Sequence, residues 1–154
     1  MLTLEPATLN DTDTVWKLRN DVATRRELGL KVISYSECLD WVANIRDGKT
    51  SETLLLAKDD KLGIVGFVTL RPDNDITHIG VSIGSAFRGQ GLGQQTIKLV
   101  TEYEMGLTRP KNRKLQAHIR SENYKALFAF ESVGYGEIGT MKQGQHEYFV
   151  YEYK

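Results

Sequence analysis

The spacing of hydrophobic residues changes along the 154-residue chain, and each change predicts a different secondary structure. In the first third, apolar side chains recur every three or four residues, which predicts amphipathic helices. In the middle, short and nearly continuous apolar runs predict strands of a sheet that is covered on both faces. The two patterns then alternate. The predicted order is β, α, α, β, β, β, α, β, α, β, β, an α/β (α+β) fold with a mixed sheet and helices on both faces.

Two helices are predicted between a short first strand, residues 2–5, and the central strands. Asn10 and Asp11 offer capping oxygens for the first helix, which continues to Gly29 as one segment. The second begins after Ser34, because Glu37 lies three residues later and completes a capping box.

The remaining elements follow from apolar runs and from turn residues between them. Strands are predicted at residues 53–57, 64–70, 76–83 and 114–119, with a C-terminal hairpin of 135–142 and 146–153. Residues 71–75 predict a turn. One helix carries Ile97, Val100, Tyr103 and Leu107 on a single face, and another begins at a Ser121 cap and ends at Gly134.

Composition narrows the class of protein. Lysine and arginine total 20, and aspartate and glutamate also total 20, so the formal charge is zero. This balance argues against a nucleic-acid binder, which usually carries excess basic charge. The single cysteine, Cys38, excludes an intrachain disulfide and a cysteine-based zinc site, and we expect no metal. No apolar run is long enough to cross a membrane and no signal-peptide pattern is present, so we expect one soluble cytoplasmic domain over residues 1–154.

A glycine-rich segment between the third central strand and the next helix carries the strongest chemical signal. Its residues are Arg88, Gly89, Gln90, Gly91, Leu92 and Gly93. Alternate glycines let backbone amides converge on an anion, and the following helix adds the positive end of its dipole. The segment lacks the Gly-Lys-Ser/Thr of a Walker loop and does not match Gly-x-Gly-x-x-Gly. It therefore predicts a pyrophosphate-binding loop of another kind.

The spacing Arg88-x-x-Gly91-x-Gly93 resembles the acetyl-CoA pyrophosphate motif of the GNAT N-acetyltransferase superfamily. Residues 77–84 resemble the fourth strand of that family. A third match, to the block Asn-x-x-Ala…Tyr…Gly-Phe, comprises Asn123, Ala126, Phe130, Gly134 and Tyr135. The order of elements also agrees, so the resemblance covers essentially the whole chain.

The resemblance implies transfer of an acetyl group from acetyl-CoA to an amine. It implies a sheet of about seven strands, splayed between the fourth and fifth, with the cofactor in the opening. The loop Arg88 to Gly93 would bind the pyrophosphate. Backbone groups of Val81, Ser82 and Ile83 would bind pantetheine and supply an oxyanion donor, and Asn123 would contact the pantetheine arm or the acceptor.

Attack by an amine on a thioester requires a base, because an ammonium group has a pKa near ~10. His78 stands where many GNAT enzymes place a glutamate on the fourth strand, and a neutral imidazole can accept the proton. His118 on the neighbouring strand is the second candidate, whereas His146 is expected at the surface. Phe130 occupies the position of the tyrosine that protonates the leaving thiolate in the family.

Phenylalanine cannot donate that proton, so it is expected to pack in the core and against the cofactor. A thiol of pKa ~8.5 is a tolerable leaving group without an acid. Tyr124, Tyr135 or water could replace the missing tyrosine.

The N-terminal region resembles the GNAT subgroup that acetylates amino groups of nucleotide-linked sugars in surface-glycan pathways. The substrate-binding candidates are Arg19, Asn20, Arg25 and Trp41, with Arg26 also available to a diphosphate. Arginine can bind a diphosphate and tryptophan can stack on a base or sugar. Cys38 replaces the histidine that usually precedes the tryptophan.

Three other functions remain open from the sequence alone. The acceptor could be a protein N-terminus, as in ribosomal-protein N-acetyltransferases, or a polyamine. A catalytically silent acyl-CoA-binding module is the alternative from another class, since Phe130 lacks the acidic proton. We expect a small-molecule amine as partner, with no nucleic acid and no membrane, and a homodimer remains open.

Overall fold

The computed structural model describes residues 1–106 and 113–154, which form a mixed sheet with helices on both faces. The strands are β1 (Leu2–Pro6), β2 (Thr53–Asp59), β3 (Gly63–Asp73), β4 (Ile76–Ile83), β5 (Lys114–Arg120), β6 (Tyr135–Gln143) and β7 (His146–Tyr153). The helices are α1 (Thr12–Asn20), α2 (Val22–Leu28), α3 (Tyr35–Arg46), α4 (Leu92–Gly106) and α5 (Tyr124–Val133). The predicted position of Leu107 on α4 lies outside the described residues.

The sheet has seven strands in the order β1-β2-β3-β4-β5-β7-β6. All neighbouring strands are antiparallel except β4 and β5, which run parallel and pair only over Ile76 to His78 of β4. Beyond His78 the two strands diverge, and from Ile79 onward the β5 side of β4 has no ladder partner. The predicted fold, with its sheet splayed between the fourth and fifth strands, is confirmed.

The predicted single N-terminal helix is wrong, because the chain turns at Asp21. The backbone of Asp21 is extended, with ψ of 132°, and separates α1 from α2. Its carboxylate accepts the backbone N–H of Thr24 and caps α2, and it also accepts from the Ser85 hydroxyl, which ties this corner to the segment after β4. The break lets α2 lie across β4 and β5, where those two strands diverge.

The turn predicted at residues 71–75 is shorter in the structure. Strand β3 continues through Asp73, and only Asn74 and Asp75 connect it to β4. Asn74 adopts a positive φ of 55°, a conformation that asparagine tolerates better than most residues. The extension brings Arg71 directly opposite His78 in the ladder.

The two faces of the sheet carry separate cores. Helices α4 and α5 pack against one face, where Val68, Leu70 and Val100 are buried. The helix pair α1 and α3 packs against the other face around Val42 and Phe67.

The capping box at Ser34 is confirmed, but α5 is capped by Asn123 rather than by Ser121. In the described residues, no helix combines the length and apolarity needed to span a membrane.

Candidate active site

Two cavities lie on opposite sides of the point where β4 and β5 separate. The first, of about 290 Å³, is bounded by the glycine-rich loop, α4 and α5, and we call it the glycine-loop cleft. The second, of about 590 Å³, lies on the α1–α3 face and contains both His78 and His118, and we call it the histidine cavity. β4 lines both cavities, so a ligand that passes between the separated strands can reach from one to the other.

The glycine-loop cleft begins at a tight loop with two left-handed glycines. Gly89 and Gly91 have φ of 80° and 76°, and a Cβ at Gly89 would meet nothing within 4 Å. α4 starts at Leu92, so its first backbone N–H groups have no partners within the helix and point out of its N-terminus. This arrangement fits a pyrophosphate, which backbone amides and the helix dipole bind together.

Arg88, expected to bind the pyrophosphate, already has partners inside the protein. Its Nε donates to the Ile83 carbonyl oxygen over 3.1 Å, and its guanidinium forms an ion pair with the Glu27 carboxylate. Glu27 lies on α2, lines the glycine-loop cleft and also accepts a hydrogen bond from Asn123. Sequence reasoning missed Glu27, because nothing in its local sequence indicates that α2 crosses the opening of the sheet.

The residues expected to bind pantetheine lie where β4 has lost its neighbour. Val81 and Ile83 face the glycine-loop cleft. Ser82 points to the other face, where its hydroxyl is 2.8 Å from the Thr24 hydroxyl. The unpaired backbone of this segment can bond an extended amide-containing chain, as an adjacent strand would. The cleft as a whole therefore fits acetyl-CoA.

Asn123 and Phe130 line the same cleft. The Asn123 side-chain oxygen accepts the Ala126 N–H and caps α5, while its amide donates to Glu27. Phe130 is 5% exposed and packs edge-on against Tyr135, with ring centroids 5.1 Å apart. Both residues thus shape the cleft wall in addition to any contact with a cofactor.

The histidine cavity brings the two candidate bases together. The rings of His78 on β4 and His118 on β5 are 5.2 Å apart between centroids and nearly perpendicular. Partial burial lowers the pKa of His118, and the neighbouring His78 and Arg71 lower it further. A lowered pKa keeps His118 neutral near pH 7.

His78 is the more enclosed of the two histidines. Its side chain is 19% exposed, and its Nε2 lies 3.7 Å from a carboxylate oxygen of Asp73. Its Nδ1 is buried and has no hydrogen-bond partner among the described residues. Nε2 is therefore the ring nitrogen left to exchange a proton with a substrate or with water, on the side of the ring that faces Asp73.

Cationic side chains line the wall of the histidine cavity. The guanidinium of Arg19 stacks on Trp41 at 4.3 Å from the ring centroid, and its Nε is buried with no partner among the described residues. Arg71 lies opposite His78 because β3 is longer than predicted. Two carboxylates also line the cavity, but Glu37 accepts the Ser34 N–H and Glu52 accepts the Trp41 indole N–H.

Two predicted substrate-binding residues lie outside the histidine cavity. Asn20 uses both ends of its amide on the backbone of Ile33, so it holds the α2–α3 connection in place. Arg25 donates to the Asn20 carbonyl oxygen and lines a separate cavity. Only Arg19 and Trp41 of the predicted set line the histidine cavity.

The tyrosines suggested as proton donors occupy different environments. Tyr135 is buried in the core, where burial raises its pKa to about 12, and its hydroxyl lies 2.7 Å from that of Thr101. Neither Tyr135 nor the 75%-exposed Tyr124 lines either cavity. Tyr148, which the sequence did not single out, lines the histidine cavity from β7.

Among the described residues, no cluster of three or more histidine, cysteine or acidic side chains is placed to hold a metal ion.

Known structures share the architecture of the whole chain. The spermidine N-acetyltransferase from Vibrio cholerae, solved with CoA and spermine, matches with a TM-score of 0.85 and 19% identity over 98% of this chain and 94% of its own. The aminoglycoside acetyltransferase AAC(6')-Ib, solved with coenzyme A, matches with a TM-score of 0.83 and 16% identity over 99% of this chain and 94% of its own. At these identities the likeness establishes the fold.

Sequence comparison establishes the family. A search of curated protein sequences finds no significant match to the chain. The family model described as "Acetyltransferase (GNAT) domain" matches residues 1–136, which is most of the chain. The predicted acetyltransferase class and its use of acetyl-CoA are thereby confirmed. The chain belongs to the GNAT acetyltransferase family.

Proposed function

We propose that this acetyltransferase modifies the primary amine of a small molecule that also carries an anionic group, such as a nucleotide-linked amino sugar. The observation that supports this choice is the pair of guanidinium groups on the wall of the histidine cavity, beside the candidate bases. Arg19 and Arg71 line this cavity, and its two carboxylates already accept hydrogen bonds from the protein. An acceptor with phosphate or carboxylate groups would be attracted to these guanidinium groups.

The proposed chemistry begins with His78. The acceptor enters as an ammonium ion, and Nε2 of His78, the ring nitrogen that is not buried, removes its proton, directly or through water. Asp73 stabilises the imidazolium that results, since its carboxylate lies 3.7 Å from Nε2. Bound acetyl-CoA supplies the thioester that the neutral amine attacks. Backbone groups of Val81 to Ile83 hold the cofactor arm where β4 is unpaired.

His118 supports the proposed base through its charge. A neutral His118 does not repel the proton that His78 accepts, whereas an imidazolium at this distance would. Tyr148 is the tyrosine on the cavity wall that can donate a proton to the departing thiolate. The position that carries this tyrosine in the family is Phe130, which offers no proton.

A polyamine is the second candidate acceptor. It is favoured by the structural likeness to a spermidine N-acetyltransferase and by the presence of Glu37 and Glu52 on the cavity wall. A polyamine carries several positive charges, so it would require carboxylates that are free to pair with them. The guanidinium groups of Arg19 and Arg71 on the same wall repel a polycation, and this argues against a polyamine as acceptor.

Thiol release from acetyl-CoA tests the proposal directly. The purified chain is assayed with UDP- and dTDP-linked amino sugars, with the same sugars lacking the nucleotide, and with spermidine. We expect the nucleotide-linked amines to give a kcat/KM at least 10-fold above that of spermidine. A preference for spermidine would refute the anionic acceptor.

Two variants make the test specific to the cavity. Arg71→Gln removes one guanidinium beside His78, and we expect it to raise KM for the nucleotide-linked amine about 10-fold, the equivalent of a charge-assisted hydrogen bond of about 1.4 kcal/mol. Lys58→Gln removes the charge of an exposed side chain on β2, away from the histidine cavity, and serves as the matched control.

A further inference from the structure

A third cavity, which we call the arginine cavity, lies beside the histidine cavity. It has a volume of about 360 Å³ and is lined by Arg25 and Arg26 of α2, Arg120 of β5 and His146 of β7. In the part of the chain that the structure describes, no carboxylate contributes to its lining. Such a concentration of cations is not needed for folding, because like charges repel one another when brought together.

One cation of this cavity, Arg120, is held in place by several contacts. The Arg120 side chain is 12% exposed and pairs with Glu122 at 2.8 Å. It also donates to the Arg26 carbonyl oxygen over 2.7 Å and lies 2.5 Å from Nδ1 of His146. Its Nε is buried without a partner in the described residues. A single carboxylate therefore faces three guanidinium groups and one imidazole, and the site retains positive charge.

The arginine cavity adjoins the histidine cavity. Gly29 and Leu30, at the end of α2, line both. His118 and Arg120 lie on the same face of β5, two residues apart, and therefore about 6.6 Å apart along the strand at about 3.3 Å per residue. The separation is of the order of one sugar ring. An amine at the histidines thus places a neighbouring phosphate beside Arg120.

We propose that the arginine cavity binds the diphosphate of the acceptor, an inference that rests on the proposed function. Arg25, Arg26, Arg120 and His146 contact the phosphate oxygens, while the amino sugar lies across Gly29 and Leu30 and reaches His78. The pyrophosphate of the cofactor binds elsewhere, at the glycine-loop cleft. The enzyme thus has two separate diphosphate sites, one built from backbone amides and one from side-chain cations.

Calorimetric binding of UDP to the chain saturated with CoA tests this site without relying on turnover. CoA occupies the glycine-loop cleft, so the UDP that binds must bind elsewhere. We expect Arg26→Gln and Arg120→Gln each to raise the Kd of UDP at least 10-fold. Arg26 is exposed, so its replacement tests the site even where Arg120→Gln disturbs folding. Lys31→Gln, which removes an exposed charge outside the cavity, is the matched control and should leave the Kd unchanged.

Kinetics with a nucleotide-linked amino sugar separate this inference from the proposed function. We expect KM to rise at least 10-fold in Arg26→Gln while kcat changes less than twofold. Acetylation of that amine with an unchanged KM in both variants would overturn the arginine cavity and keep the proposed function. UDP binding that both variants weaken, without acetylation of any nucleotide-linked amine, would keep the cavity as a diphosphate site and refute the proposed function. Equal UDP affinity in all four proteins would overturn the inference.

Discussion

The glycine-loop cleft and the histidine cavity offer different kinds of chemical group to a ligand. The cleft uses backbone: two left-handed glycines, the start of α4 and the unpaired edge of β4. The histidine cavity uses side chains from α1, α3, β3, β4, β5 and β7. A backbone site tolerates changes in most of its side chains, whereas a side-chain site changes its specificity with each substitution. The difference explains how one fold can keep its cofactor and vary its acceptor.

The largest effect on activity is expected from His78→Ala, which removes the proposed base from the histidine cavity. General base catalysis contributes about 10²–10⁴-fold, so we expect kcat to fall by at least about 100-fold. The Kd of CoA should stay within twofold, because His78 does not line the glycine-loop cleft. Stopped assays of thiol release and calorimetry with CoA measure the two quantities.

The pH dependence of the same variant distinguishes a base from a packing residue. In the unaltered enzyme, kcat/KM should decrease at acidic pH, because a base that is already protonated cannot accept the proton of the amine. That limb should disappear in His78→Ala, and added imidazole should restore part of the activity. An unchanged profile would show that another group removes the proton.

Gly91→Val should weaken binding in the glycine-loop cleft and leave the histidine cavity unchanged. A β-branched residue is strained at φ of 76°, so the loop must change its conformation and lose its convergent amides. We expect the Kd of CoA to rise at least 10-fold. Gly144→Val introduces comparable strain at φ of 63° in the β6–β7 turn and is the control for stability alone. Equal CoA affinity in both variants would argue against amide recognition by the loop.

Glu27→Gln tests how a side-chain carboxylate affects the glycine-loop cleft, where we expect backbone groups to bind CoA. Its ion pair with Arg88 holds that guanidinium and places negative charge in the cleft. Removing the charge should free Arg88 for the pyrophosphate and lower the Kd of CoA about threefold, by about 0.7 kcal/mol. A weaker affinity for CoA would instead assign Glu27 to positioning Arg88.

Tyr135→Phe should alter stability but not catalysis. The Thr101 hydroxyl donates to the Ile97 carbonyl, so the Tyr135 hydroxyl donates to Thr101 at 2.7 Å. Loss of this buried bond should lower the free energy of unfolding by about 1 kcal/mol. Tyr148→Phe provides the contrast, since it should lower kcat with little effect on stability. A large loss of kcat in Tyr135→Phe would return this residue to the catalytic candidates.

The smallest effect concerns the pH dependence of stability. His118 has a folded pKa below its ordinary value of 6.5, mainly because of burial. As the pH falls below about 6.5, the unfolded chain therefore takes up the proton first and the free energy of unfolding decreases. Above that pH the contribution is complete. His118→Gln should flatten the curve of unfolding free energy against pH between 6.5 and the lower folded pKa, as urea titrations can measure.

Much of the fold and the cofactor site could be predicted from the sequence, because their signals are local. The glycine spacing, the Ser34 capping box and the strand pattern each occupy a few consecutive residues. The break at Asp21 could not be predicted, since its extended backbone is stabilised by contact with Ser85 far along the chain. The acceptor side depends on such contacts throughout.

Three site residues illustrate what was missed. Arg71 was assigned to a turn, and it reaches His78 only because β3 extends to Asp73. Glu27 reaches the cleft because α2 lies across the diverging strands. Arg25 was predicted for the acceptor, and the same helix places it in the arginine cavity, which the sequence did not indicate. In each case the sequence identifies the charge and tertiary packing determines its partner.

The short pairing of β4 with β5 has a mechanical consequence. In the described residues, three ladder pairs join strands β1 to β4 to strands β5 to β7. A ligand that forms hydrogen bonds to the unpaired edge of β4 and packs on α5 would contact both halves of the sheet and stabilise the junction between them. Amides next to the junction should therefore exchange with deuterium more slowly when CoA is bound, while those in β1 and β2 keep their rates. Bound CoA would thus take the place of a neighbouring strand along the unpaired part of β4.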